Sequence, residues 1–267
     1  MKRIVIMGAT SGIGLEVAKR LLKKGYRIGV AGRKVEVLKE LKHDFPSQIE
    51  WEKIDITKND APNKLMDLIE KLGGMDTYFH ISGVYYDNPE LDLEKEMITL
   101  ETNGVGFARM VSTAYRYFRQ RGGKGHIAAI TSVAGTRGMG PLASYSSTKK
   151  FGQAYLEALQ QLSHMQGLNI KFTDIRPGWI RTPLLDADAQ YPMTMKLDYA
   201  APRILRSLNR CRTANYVDWR WLLLIRAMQM IPRWLWVRIP FPVSWQSTPT
   251  QYDRNTRAED EEMRVKP

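Results

Sequence analysis

Two kinds of apolar run alternate along this chain. Ile4-Val5-Ile6-Met7 is short and nearly unbroken, as expected of a strand covered on both faces. The stretch 15–24 instead spaces its apolar residues every three to four positions, the period of a helix with one buried face. Continued along the chain, this reading predicts strands over 2–7, 27–31, 49–54, 75–81, 126–131 and 169–175. Helices are predicted between them, over 15–24, 35–42, 64–72, 103–121 and 143–164. Gly25, Gly73-Gly74 and Gly122-Gly123 stand where helices must end. Alternating strands and helices imply an α/β fold: a doubly wound parallel sheet of Rossmann type with helices on both faces. Past Ile180 the pattern loosens. Residues 181–197 read as loop with a short helical piece, 199–208 as a helix and 215–217 as a last strand. The expected organisation is a main domain over 1–218, a Trp/Arg-rich helical appendage over 219–245, and a polar tail over 246–267. The tail carries the acidic run 259–262 and is expected to be largely disordered.

Composition adds limits. At 267 residues and 43% hydrophobic content the chain can bury one large core. The single cysteine, Cys211, excludes an internal disulfide and a cysteine-rich metal site, and fits a reducing compartment. The histidines are scattered, so no metal site is expected. The N-terminus imitates a signal peptide, but Gly8 and the polar residues after it stop the apolar run early, and a first strand explains it better. No stretch reaches the roughly 18 uncharged apolar residues of a spanning helix. The expected location is cytoplasmic, with peripheral contact at the inner face of a membrane left open. The formal charge is +12, and between Arg203 and Trp245 there are eight arginines against one acid, Asp218. Such an excess suits an anionic cofactor, a membrane surface or nucleic acid. No nucleic-acid-binding motif accompanies it, so a nucleic-acid partner is not expected.

The first candidate site is the turn Gly8-Ala9-Thr10-Ser11-Gly12-Ile13-Gly14, between the first strand and the first helix. Glycines there allow a tight turn and close approach of backbone to a pyrophosphate, and the helix start supplies N–H donors and a positive dipole end. A dinucleotide is the natural ligand. The second strand ends at Ala31-Gly32-Arg33-Lys34, where an acid would hold the ribose hydroxyls of NAD. Arg33 and Lys34 suit a 2′-phosphate instead, so NADP(H) is preferred and NAD(H) remains the alternative. Asp55, after the third strand, either bonds the adenine amino group or, before Thr57, serves as a helix-start cap.

The second candidate site is Tyr145 and Lys149, four positions apart on one helix face. An ammonium near a phenol favours the phenolate, and a tyrosine so tuned can exchange a proton with an alcohol or carbonyl oxygen. Alone, Y-x-x-x-K is a weak signal and reads as an ordinary surface pair.

Together these features resemble the short-chain dehydrogenase/reductase family over residues 2–182. The glycine motif is matched by Gly8, Gly12 and Gly14, and the later proline–glycine turn by Pro177-Gly178-Trp179-Ile180-Arg181-Thr182. The resemblance implies an active-site tetrad of Asn103, Ser132, Tyr145 and Lys149. Tyr145 would be the general acid in carbonyl reduction and the base in alcohol oxidation. Ser132 would steady the substrate oxygen, and Lys149 would hold the nicotinamide ribose and acidify Tyr145. Asn103 would position a water linking Lys149 to solvent. It further implies cofactor contacts from Thr10, Ser11, Ile13, Asp55, Ile56, Ser82, Gly83, Pro177, Gly178, Ile180 and Thr182, and pairing of subunits into a dimer or tetramer. Two positions depart from the family pattern. Met7 replaces a threonine, and His80-Ile81-Ser82-Gly83 stands where Asn-Asn-Ala-Gly is usual; His80 could replace an amide hydrogen bond and Ile81 cannot.

The expected function is therefore NADP(H)-dependent interconversion of a carbonyl and an alcohol on a hydrophobic small molecule. A non-catalytic dinucleotide-binding scaffold or sensor is the alternative, and the complete tetrad weighs against it. A sugar-nucleotide epimerase is disfavoured by the glycine spacing and short chain. The resemblance further implies that substrate choice falls to the carboxy-terminal third, where 219–245 reads as a lid, a subunit contact or an interfacial membrane element.

Overall fold

The computed structural model describes residues 2–185 and 191–240. The expectations for 241–245 and for the tail over 246–267 lie outside these described residues. Seven parallel strands form one sheet in the order β3-β2-β1-β4-β5-β6-β7. They are β1 (Arg3–Met7), β2 (Arg27–Gly32), β3 (Ile49–Lys53), β4 (Thr77–His80), β5 (Lys124–Ile130), β6 (Asn169–Arg176) and β7 (Ala214–Tyr216). The doubly wound Rossmann expectation is met.

The alternation within β1 shows why both faces are covered. Ile4 and Ile6 point into one core with α1 (Gly12–Lys23), α2 (Val35–Asp44) and α7 (Leu197–Arg210). Val5 and Met7 point into the other, with α3 (Ala61–Lys71), α5 (Phe107–Gln120) and α6 (Ala143–Met165). Val5 and Ile6 have no exposed surface, and each such side chain contributes roughly 1.5–3 kcal/mol by leaving water.

Two local features differ from the sequence reading. A helix α4 (Leu93–Leu100), capped by Asp92 accepting from the Lys95 N–H at 3.0 Å, precedes the position where a helix was expected to begin. Its chain passes through one wide turn over Glu101–Gly106 before α5, so Asn103 lies inside a helical rod rather than at its start. The C-terminal segment forms α8 (Trp219–Met230) and α9 (Arg233–Trp236). Asp218 caps α8 through the Arg220 N–H at 2.9 Å. Hydrogen bonds from the Arg220 guanidinium hold the Asp218 carboxyl below the usual carboxylate range. Trp221, Ile225 and Met228 of α8, with Trp236 of α9, enter the same core as Ile4 and Ile6. Among the described residues, no helix is long and apolar enough to cross a membrane.

Candidate active site

The strand order reverses between β1 and β4, and a crevice opens there at the carboxyl ends of the strands. Gly8 leaves β1 at φ +95°, with its backbone against Ser82 after β4: an added Cβ would sit 2.6 Å from the Ser82 nitrogen. Gly14 packs closer still, its hypothetical Cβ 1.9 Å from the Gly8 carbonyl oxygen. Only glycine permits this cradle. Ser11, the N-cap of α1, spends no side-chain bond on the cap, and the first turn carries no acid. A cavity of about 370 Å³ runs along it. Its walls bring together Thr10, Ser11, Gly12 and Ile13 with Arg33, Lys34, Asp55, Ile56, Ser82, Gly83 and Thr182. Backbone donors, a helix start and two cations suit the phosphates of a dinucleotide. Asp55 is not a helix cap, since α3 begins at Ala61 with Asp60 as its N-cap; it closes a local turn instead. Its Oδ1 accepts from Thr57 Oγ1 at 2.8 Å and from the Thr57 N–H at 3.0 Å, while the residue still lines the cavity.

A second cavity, of about 530 Å³, adjoins the first, with Ile13, Ile81, Gly83, Val84, Thr182 and Leu184 lining both. Ser132, Tyr145 and Lys149 lie in its wall together with Pro177, Gly178 and Ile180. Asn103 stands behind this wall. Its Oδ1 accepts from the Val84 N–H at 2.9 Å, and its Nδ2 donates to the Val84 carbonyl at 2.8 Å. A Cβ on Gly83 would lie 3.0 Å from Asn103 Oδ1 and 3.3 Å from Lys149 Nζ, so these two groups flank the same glycine. The wide turn at Glu101–Gly106 aims the amide inward, a common use of such turns at functional sites.

Electrostatics correct one expectation. The Tyr145 phenol is not acidified in this site: burial pushes it up to about 12, with the Ser132 hydroxyl as hydrogen-bond partner pulling the other way. The Lys149 ammonium, 5.4 Å from the Tyr145 ring centre, is itself brought down to about 8 by burial, against the favourable charge of Asp174. Desolvation outweighs the mutual help expected from spacing alone. Asp174 is held by Arg176 at 2.6 Å and by the Thr131 hydroxyl.

Other residues complete the site without a local sequence signal. Gln153 Nε2 donates to the Ser132 carbonyl at 2.8 Å, one α6 turn beyond Lys149, and so fixes the serine's backbone. Gly135 allows this contact, since a Cβ there would meet Gln153 Nε2 at 2.5 Å. Tyr85 packs edge-on to Tyr145 at 5.0 Å and to Trp179 at 5.5 Å. Trp221 lies so close to Gly178 that a Cβ would be 2.1 Å from its Nε1. With Leu224 and Met228 it makes α8 a wall of the larger cavity. His80, the departure after β4, is buried and bonded to the Tyr78 hydroxyl at 2.9 Å through Nδ1. Burial lowers its pKa to about 3, so it is neutral there.

Residues 2–191 match the sequence profile of short chain dehydrogenase. The chain belongs to this family. It is 33% identical over 195 residues to an uncharacterized oxidoreductase of Listeria monocytogenes, covering 69% of this chain and 77% of that protein. It is 29% identical over 194 residues to a farnesol dehydrogenase of Aedes aegypti, covering 69% and 79%. The fold is shared with the structure of ElxO with NADP bound, at a TM-score of 0.72 and 23% identity, covering 83% of this chain and 99% of that one. A nicotinamide-dinucleotide-dependent dehydrogenase or reductase is thus the class of this member.

Proposed function

We propose that this family member is an NADP(H)-dependent oxidoreductase that interconverts a carbonyl and an alcohol on a hydrophobic small molecule, with Tyr145 as general acid/base. One observation carries the reading: the cavity at the glycine turn adjoins, through a shared wall that includes Gly83 and Thr182, a larger and more apolar cavity lined by Ser132, Tyr145 and Lys149. A dinucleotide in the first cavity would have its adenosine end beside Arg33, Lys34, Asp55 and Ile56, and its nicotinamide end along Pro177, Gly178, Ile180 and Thr182. The cofactor supplies or accepts the hydride.

The chain's own residues handle the proton. The Ser132 hydroxyl donates to the substrate oxygen and steadies its developing charge. Tyr145 gives its proton to that oxygen in reduction and takes it back in oxidation. Burial raises the Tyr145 pKa, so in the resting site the phenol carries its proton at neutral pH. Lys149 holds the ribose, and Asn103 holds the Val84 backbone beside it. Arg33 and Lys34 support NADP(H), because a forked guanidinium meets a 2′-phosphate that the hydroxyls of NAD(H) do not offer. Apolar walls from Val133, Met139, Leu142, Leu185 and Met228 support a hydrophobic substrate. The farnesol dehydrogenase among the relatives acts, by its name, on an apolar alcohol. A homo-oligomer pairing through α5 and α6 is part of this proposal, since Phe151 and Met165 of α6 are exposed.

The test is cofactor oxidation against a panel of aldehydes and ketones of rising hydrophobicity, with NADPH and NADH in parallel. NADPH-dependent turnover that improves with apolar bulk is expected. Tight NADPH binding with no turnover on any carbonyl would leave the scaffold reading in its place, and a preference for NADH would refute the role of Arg33.

A further inference from the structure

Helix α8 is apolar on two opposite sides, and only one of them is buried. Trp221, Ile225 and Met228 face inward at i, i+4 and i+7. Trp219, Leu223, Arg226 and Met230 recur at i, i+4, i+7 and i+11 on the far side. There Trp219 is 66% exposed, Leu223 59% and Met230 84%. A helix apolar all round is normally buried all round. The exposed face continues into α9 and the residue that ends it, where Trp234 and Val237 are also turned out, 63% and 68% exposed.

The charge on this face has one sign. Four arginines and no carboxylate lie between Trp219 and Pro240. Arg220 is committed to Asp218 at 2.8 Å, which leaves Arg226, Arg233 and Arg238 among the exposed apolar side chains. Arg238 sits with its guanidinium 5.8 Å from the Trp234 ring centre and donates to the Trp234 carbonyl at 2.9 Å. Exposed tryptophans and leucines among arginines, without acids, are complementary to the acyl–headgroup boundary of an anionic bilayer.

The face is continuous with the cavity. Leu224 lines the larger cavity and is also 40% exposed, so α8 is the partition between the cavity and the outer surface. The partition is tied down from behind. Arg137, just past the Ser132 turn, donates to the Gln229 carbonyl at 2.9 Å, and Trp236 Nε1 donates to the Gly138 carbonyl at 2.9 Å.

We infer that the outer face of α8 and α9 docks this protein on an anionic lipid surface, placing the mouth of the substrate cavity against the bilayer so that a membrane-dissolved carbonyl or alcohol enters past Leu224. The substrate half of this inference rests on the oxidoreductase reading; the docking half does not.

The full-length protein is to be sedimented with phosphatidylcholine vesicles, with and without roughly a third phosphatidylserine, at low and physiological salt. Binding to the anionic vesicles is expected, about tenfold weaker without phosphatidylserine and weaker as salt screens the arginines. The double variant Leu223→Glu/Trp234→Glu is expected to bind at least about tenfold less, as two carboxylates replace two exposed apolar contacts of the face. Its unfolding temperature and NADPH affinity should not change, because both side chains point away from the core. Arg226→Gln/Arg233→Gln should lose the phosphatidylserine preference while staying folded. Wild-type protein left in the supernatant with anionic vesicles would overturn the inference, as would a double glutamate variant that binds undiminished. So would a variant that only splits an oligomer, since the face would then be covered by a second copy. Tyr145→Phe should bind vesicles like wild type. Vesicle binding without turnover on any carbonyl would sink the oxidoreductase reading alone, and turnover without vesicle binding would sink the docking alone.

Discussion

Lys149→Met is expected to make the protein more stable at neutral pH while removing its turnover. Burial brings the Lys149 ammonium from its ordinary 10.5 to about 8. At 1.36 kcal/mol per pKa unit this corresponds to roughly 3 kcal/mol spent on keeping a charge out of water. Lys149 lines an open cavity, so water there screens part of the cost, and about 2 kcal/mol is the working figure. Methionine fills similar space without the charge, and Asp174 keeps Arg176 at 2.6 Å as its partner. For a chain of this size the gain amounts to a rise of roughly 4–8 °C in unfolding temperature. The pH dependence supplies the sharper test. Below pH 8 folded and unfolded chains both hold the Lys149 proton, and the full cost is present. Between 8 and 10.5 the folded chain has released a proton that the unfolded chain still binds, so wild-type stability gains with rising pH. The advantage of the methionine variant should therefore be largest near pH 7 and nearly gone by about pH 10. Urea unfolding of both proteins across this range measures it. A variant that is less stable at pH 7, or whose advantage does not change with pH, would refute the account of Lys149 as a charge held at a cost to the fold.

Three further outcomes are expected. Tyr145→Phe should lower kcat by at least about a hundredfold while leaving the NADPH dissociation constant within roughly twofold, read by NADPH fluorescence titration; undiminished turnover would remove Tyr145 from the chemistry. Arg33→Ala should weaken NADPH about 10–100-fold, the worth of one charge-assisted phosphate contact, and leave NADH nearly unchanged; equal losses for both would place Arg33 elsewhere. Gly178→Ala would set a methyl 2.1 Å from Trp221 Nε1, so the indole must move. A loss of about 1–3 kcal/mol in chemical denaturation is expected, with KM rising more for bulky ketones than for small ones; an unchanged stability would mean that Trp221 does not seal this wall.

The sheet was legible because its signals are local. An apolar run of strand length, a helical period and a closing glycine each depend on neighbours a few positions away. Seven strands and the glycine turn follow from that, and so does the placement of Tyr145 and Lys149 on one face of α6. The helix α4 does carry a helical apolar period, Leu93, Met97 and Leu100 at i, i+4 and i+7, but it is only 8 residues long and these side chains are exposed, so it marks no core face beside the longer helix that follows. Nothing in the sequence marks the wide turn that aims Asn103 at Val84, since it depends on the backbone count between two helices. Gln153 and Gly135 were likewise silent, because their contact joins α6 to the turn after β5.

The order of elements, the glycine cradle and the chemical types available for proton transfer were settled by the sequence alone, through periodicities that act within one strand or helix. The tertiary structure decided what those residues experience. It reversed the expected direction of the Tyr145 pKa, because burial is a property of everything packed around a phenol and not of the lysine one turn away. It also turned the Trp/Arg-rich segment into a wall of the cavity, because only the folded chain brings α8 back over Gly178.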